Sequence, residues 1–291
     1  MPSLSVRPKC YATAVLVIAL QCSAQLFAQD VRFKPVAKDI VKARLGKYAG
    51  KDNQRQITLK QMFAETGCDD QHLSEQTVKG SKLPNVICTL PGSSPGRRVI
   101  IVGAHFDHVD AGDGVVDNWS GASLLPSLYE AVKSTPRKHT YIFIGFTDEE
   151  RGEVGSRFYA RQMTKEDIDS TDAMVNLDSL GLGPAEVWAS HSDKQLVAAF
   201  GYVSHFLNIP VGAVNVEKVG STDSVQFSDR KIASITVHSL TQEKWNEHIL
   251  HSSNDKISAI QLNDYYQTYR LLSAYLAFLD AADNIGAAKS R

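Results

Sequence analysis

The chain has 291 residues, of which 43% are hydrophobic and 22% charged, enough for a substantial core in one large domain or two small ones. A formal net charge of −1 gives no electrostatic reason to expect nucleic acid or an anionic membrane surface as partner.

Residues 1–28 differ from everything after them. Arg7 and Lys9 precede the apolar stretch YATAVLVIAL, and small and polar residues follow. That is the layout of a secretory signal peptide, and the apolar run is too short to span a bilayer. Cleavage is expected after Ala28, with Ala24 as the alternative position and an uncleaved N-terminal anchor as the rival reading. Export to the periplasm or the medium follows, with no stable membrane span after cleavage. The mature chain keeps only Cys68 and Cys88, and two cysteines in an exported protein most simply pair. Their loop would contribute about 3 kcal/mol in the chain-entropy model, two free thiols being the alternative. Without a third cysteine, a cysteine-rich zinc site is excluded.

Next, DIVKARLGKYAG and TLKQMFAETG each read as a short helix stopped by glycine. NVICTLPG is a strand running into a Pro-Gly turn, and RRVIIVGAHFD carries the continuous apolar run of a strand buried on both faces. SGASLLPSLYEAVKS is helical in pattern, with Pro126 expected to kink or delay it. TYIFIGFTDE is a strand, GSRFYARQMT a helix, AMVNLDSLG a strand and EVWAS a short strand. SDKQLVAAFGYVSHFL is a helix with a serine or aspartate to cap it, ASITVHSL a strand, and LNDYYQTYRLLSAYLAFLDAA a long final helix. This alternation predicts a single three-layer α/β/α domain, residues 29–291, around a mixed, largely parallel central sheet.

In such sheets functional groups gather beyond the carboxyl ends of the strands. The residues there are His105 and Asp107 in GAHFDH, Asp117 in VVDNWSG, Glu149 and Glu150 in TDEERGEVGS, and Asp178 in VNLDSLG; His251 in LHSSND follows a longer loop. Taken singly, each is an ordinary turn or cap residue. Together they need a cation, because nothing else lets so many carboxylates share a small, partly dry volume. Imidazole with carboxylate and no thiolate suits zinc, with manganese or cobalt as alternatives. Five ligands exceed one open zinc site and fit two metals sharing a bridging carboxylate.

The blocks GAHFDH, DNWSG, DEERGEVGS, VNLDSLG and HSSND, in this order and spacing from about residue 84 to the C-terminus, resemble the co-catalytic double-zinc exopeptidases. That family includes secreted bacterial aminopeptidases, glutamate carboxypeptidases and, more distantly, glutaminyl cyclase. The resemblance implies that His105 and Glu150 complete one metal site, Asp178 and His251 the other, and that Asp117 bridges two zinc ions. It implies a cis peptide after Asp117, and Glu149 as the general base for attack on a peptide bond. Asp107, on the same side of an extended strand as His105, would accept the other ring N–H of that imidazole. Because neighbours on a strand point to opposite faces, Glu149 and Glu150 must lie where the strand gives way to a turn, with Gly152 and Gly155 letting it pack tightly.

Other features carry less. NWS at 118–120 matches a glycosylation sequon but would lie inside the site, and EHILH lacks the HExxH spacing. His108 and His238 read as supporting or structural histidines, and no GxSxG elbow points to a serine hydrolase. Pro126 and Ser127 depart from the family pattern, and the loop VGSTDSVQFSDRKIAS holds no tyrosine to serve as an additional oxyanion donor. The expected function is an exported metallo-exopeptidase, most simply an aminopeptidase acting on peptides. Carboxypeptidase or dipeptidase specificity on the same site is an alternative. A glutaminyl cyclase-like acyltransferase is another, although those relatives carry a long insert where only RGEVG stands here. A binding domain that lost the chemistry would lack ligands, and none is missing.

Overall fold

The computed structural model describes residues 32–282 apart from 49, 95, 97 and 216–219, so the expected signal peptide, residues 1–28, lies outside the described residues. Strands β1 (Leu73–Gln76), β2 (Asn85–Leu90), β3 (Val99–His105), β4 (Thr140–Phe146), β5 (Thr171–Leu177), β6 (Ala185–Trp188), β7 (Val211–Val214) and β8 (Ser234–His238) form one sheet in the order β1-β2-β4-β3-β5-β8-β6-β7. The central pairs β4/β3, β3/β5 and β5/β8 are parallel, as is β6/β7. The pairs β1/β2, β2/β4 and β6/β8 are antiparallel, so the sheet is mixed with a parallel centre.

Helices α1 (Lys38–Leu45), α2 (Asp52–Glu65), α3 (Ser120–Lys133), α4 (Val154–Gln162), α5 (Lys165–Ser170), α6 (Lys194–Leu207), α7 (Val225–Ser228), α8 (Gln242–Asn246) and α9 (Leu262–Ala281) surround it. The two-residue period of the strands divides the apolar residues between two cores. Ile100, Val102, Tyr141 and Phe143 pack with Phe63 of α2, Leu128 of α3, Phe200 of α6 and Leu272 of α9. Their strand neighbours Val99, Ile101, Ile142 and Ile144 face the other way, against Ala160 of α4 and Phe227 of α7. This is the expected three-layer arrangement, each fully buried large side chain contributing about 1.5–3 kcal/mol. Among the described residues no helix is long and apolar enough to cross a membrane.

Local differences from the sequence reading have physical causes. Helix α3 starts at Ser120 and runs unbroken through Pro126, because almost every residue along it is buried and packing outweighs one lost backbone hydrogen bond. Helix α2 begins at Asp52 rather than Thr58, and the added turn carries Arg55 into the interior. That guanidinium donates to the carbonyls of Phe106 and Asp113 and lies 5.8 Å from the centre of the Trp119 ring. It thereby holds the loop that follows His105. Cys68 and Cys88 form a disulfide, with Cα atoms 6.3 Å apart, joining the segment after α2 to β2.

At the amino ends of the strands, His139 Nε2 lies 2.9 Å from Asp172 and Nδ1 lies 3.1 Å from Asp280. Arg98 also donates to Asp172, and Asp280 accepts the His139 backbone N–H at 2.7 Å. Burial alone would lower the imidazole pKa, but the two carboxylates outweigh it and hold it above its ordinary value. A folded-state pKa above the unfolded one gives stability that is complete below about pH 6.5 and fades as pH rises through the folded value. His139→Asn is therefore expected to cost about 1–3 kcal/mol in acid and less toward alkaline pH. Paired thermal melts across that range check it; an equal gap at every pH would mean the imidazole acts as a neutral hydrogen-bonding group only.

Candidate metal centre

His105 ends β3, and its Nε2 lies 3.3 Å from Asp117 Oδ1 and 3.7 Å from Asp178 Oδ1. Asp117 sits in the turn Val115–Trp119 ahead of α3, and its peptide bond to Asn118 is cis, as the resemblance implies. Asp255 fixes this turn by accepting the N–H groups of Val116 at 2.7 Å and Asp117 at 3.0 Å. Asn118 is fully buried, donates to Leu177 O at 2.8 Å and accepts from Gly121 N at 3.0 Å, so the sequon is inaccessible. A Cβ at Gly121 would fall 2.6 Å from Leu177 O, which explains the glycine of DNWSG.

Asp178 follows β5 directly, and its backbone N–H donates to Val237 O at 3.0 Å. Its Oδ2 accepts from the Thr222 hydroxyl at 2.7 Å, and that hydroxyl oxygen in turn accepts from Asn176 Nδ2 at 2.7 Å. Glu149 and Glu150 occupy the turn after β4, as their adjacency requires. Asp148 there has φ of 53° and Gly152 φ of 93°. A Cβ at Gly155 would fall 2.5 Å from Thr147 O, the tight packing expected of this motif. His251 lies on the loop after α8, its Nε2 3.2 Å from Asp117 Oδ2 and 3.1 Å from Glu150 Oε2.

The seven predicted residues therefore converge, but the ligands pair differently from the expected scheme. His105 and Asp178 share one side of Asp117, and Glu150 and His251 share the other. In each triad one ligand atom per residue lies within 4.8 Å of the others. No such group joins Asp178 with His251, whereas His105 and Glu150 come within that distance in a third group, with Glu149 and without Asp117. The two triads divide at the Asp117 carboxylate, whose Oδ1 faces His105 and whose Oδ2 faces His251. Asp107 is placed as expected but does more. Its backbone oxygen lies 3.2 Å and its Oδ1 3.5 Å from His105 Nδ1, while its carboxylate accepts the N–H groups of Glu149 at 3.0 Å and Glu150 at 3.1 Å.

The charges in this cluster perturb one another strongly. Burial pushes Glu149 up to about 10 and Asp223 up to about 7, and it raises Glu150 as well. Burial would lower His105, yet Glu149, Asp107, Asp117 and Asp178 hold it well above its usual value. Hydrogen bonds to Asp117 and Glu150 lift His251 to about 10. Without a metal, the two imidazoles carry the positive charge. Glu150 Oε1 is buried and has no hydrogen-bond partner among the described residues. An orphaned carboxylate oxygen beside two N/O donor triads sharing a carboxylate fits a borderline divalent cation such as zinc.

The cluster forms the floor of a cavity of about 580 Å³ that Glu153, Trp188, Leu240, Trp245 and Leu250 help to line. His108 is structural, its Nδ1 2.7 Å from Asp52 at the start of α2. The sequence reading assigned no role to Arg55, Thr222, Asp223 or Asp255. Only Asp255 carried a signal, as the aspartate that closes HSSND.

The model of peptidase family M28 matches residues 85–276. Aminopeptidase YwaD of Bacillus subtilis is 26% identical over 144 residues, 47% of this chain and 31% of that protein. The chain spans less than half the length of the curated relatives it matches. Among solved structures, the LapA aminopeptidase of Legionella pneumophila superposes with a TM-score of 0.71 at 19% identity, covering 97% of this chain and 81% of that one. A glutaminyl cyclase from an Acidobacteriales bacterium gives 0.68 at 14% identity, covering 84% and 93%. At these identities the two structures show a shared fold.

Proposed function

Because this chain belongs to peptidase family M28, we propose that it is a zinc-dependent aminopeptidase that hydrolyses N-terminal peptide bonds. The observation that carries this reading is the pair of donor triads sharing Asp117 at the floor of the cavity. His105, Asp117 and Asp178 would hold one zinc ion, and Asp117, Glu150 and His251 a second. When bound, the metals supply charge neutralisation and Lewis-acid polarisation of the scissile carbonyl. Glu149 takes the proton of the attacking water and passes it to the departing amine. Asp107 acts through its neighbours, holding His105 and the Glu149–Glu150 backbone in place, and is thus a positioning residue. Glu153 adds a carboxylate to the cavity lining outside both triads, a charge that favours the ammonium of a free N-terminus over a C-terminal carboxylate. The relatives named as aminopeptidases support the same choice.

Residues 29–291 would act as one catalytic domain, with residues 1–28 as an export signal, a reading that the Cys68–Cys88 disulfide supports. Hydrolysis of N-terminally free and N-acetylated peptides, with zinc and after chelation, tests the activity. Release of the first residue from free peptides only, lost on chelation and restored by zinc, is the expected outcome. Conversion of N-terminal glutamine to its cyclic form without hydrolysis would replace this reading by the acyltransferase.

A further inference from the structure

One wall of the cavity is built from β8 and its antiparallel neighbour β6, with Trp188, Thr236, His238 and Leu240 lining it. His238 stands level with Asp178, since β5 and β8 run parallel with Leu177 abreast of Val237. The ring is buried, 4% exposed, with Trp188 edge-on at 6.4 Å. The Leu240 backbone N–H donates to His238 Nδ1 at 2.9 Å. A nitrogen that accepts a hydrogen bond carries no proton, so the imidazole is neutral and its single N–H is at Nε2. That N–H meets no acceptor among the described residues, although the ring borders the cavity. Trp188, Leu240, Trp245 and Leu250 give the same cavity apolar surface. Apolar side chains beside a donor whose direction is fixed form a patch within this otherwise polar cavity that can read a side chain by shape and by a polar atom.

We propose that His238 sets the specificity of this cavity, its Nε2–H donating to an uncharged oxygen on the side chain of the substrate's N-terminal residue. The inference rests on the aminopeptidase reading. The acidic cluster beside Asp178 disfavours a carboxylate in that place, so the acceptor is an amide or hydroxyl oxygen. A residue of the same shape without an acceptor leaves the N–H unpaired in a buried pocket, which is how a polar site rejects an apolar analogue.

The test compares zinc-loaded wild type, His238→Leu and His238→Gln on two isosteric pairs of N-terminal residues, asparagine against leucine and threonine against valine. Both kcat/KM and calorimetric binding of the four free amino acids are measured, the second needing no turnover. Wild type is expected to favour asparagine and threonine by about 10-fold. His238→Leu should abolish the preference, and His238→Gln, which keeps an N–H on that wall, should retain part of it. His238→Met serves as a second apolar variant if the leucine variant does not fold. Ratios unchanged in both apolar variants, or a wild type that favours leucine and valine, would overturn the proposal. So would an equal fall in kcat on every substrate with the ratios intact, which would place His238 at the reacting carbonyl. A binding preference lost in the variants without any hydrolysis would uphold His238 and sink the aminopeptidase reading instead.

Discussion

Glu149→Gln is expected to lower kcat for N-terminal hydrolysis by about 10²–10⁴-fold while the protein still binds zinc. Glu149 lies outside both triads that share Asp117, so its loss removes a proton acceptor and leaves both ligand sets complete. Glutamine keeps the shape and can still hydrogen-bond, so what is lost is basicity. Burial raises the Glu149 carboxyl to about 10, far above its unfolded value. By linkage, a buried carboxyl with a raised pKa opposes folding at any pH above its unfolded value, because its charge must be neutralised or paired. The metal-free glutamine variant should therefore melt no lower than metal-free wild type at neutral pH, and above it if Glu149 is the strained group. Zinc stoichiometry, steady-state kinetics and metal-free melts read all three. Because Glu149 also lies within reach of His105 and Glu150, a variant that loses zinc would mark it as a ligand and remove it as the base.

What was legible follows from where the information sits. The strands β3, β4 and β5 announce themselves because they are buried almost throughout and each holds an apolar run at its centre. The edge strands β1 and β7 do not. LSEQ and VGAV are four residues each and become strands only through the neighbours they pair with, β2 and β6. Arg55 reads as a surface residue in a polar stretch, because the carbonyls that satisfy it belong to Phe106 and Asp113 in a distant loop. The candidate ligands were legible as a set since each sits in a short motif at a strand end or in a loop beyond one. Their pairing was not, because it depends on which oxygen of Asp117 faces which imidazole. Thr222 and Asp255 were missed for the same reason. Each acts on another residue's atoms across the fold, Thr222 on the Asp178 carboxylate and Asp255 on the Asp117 N–H.

Asp107→Ala is expected to weaken zinc binding by about 10–100-fold and to lower kcat/KM by at least as much. The carboxylate is buried and joins three parts of the site, the His105 ring and the backbone N–H groups of Glu149 and Glu150. Removing it leaves two N–H groups in a largely dry turn without acceptors, each costing about 1–3 kcal/mol. Those groups belong to the proposed base, Glu149, and the proposed metal ligand Glu150, so the turn can recover its hydrogen bonds only by moving both. At the same time His105 Nδ1 loses its carboxylate contact and keeps the backbone carbonyl of position 107. Asp107→Asn separates the contributions, since an N–H₂ donor replaces one of the two oxygens that accept the Glu149 and Glu150 N–H groups and opposes that backbone N–H. If Asp107 positions the turn, the asparagine variant should retain more zinc affinity than the alanine variant, yet still lose activity through a misplaced Glu149. Zinc affinity measured by competition with a chelator, set beside kcat and KM, distinguishes the cases. An alanine variant with wild-type zinc affinity and wild-type kcat would show that the turn holds its shape without the clamp. Glu149 and Glu150 would then be placed by the tight packing at Gly155 and the left-handed turn at Asp148 instead.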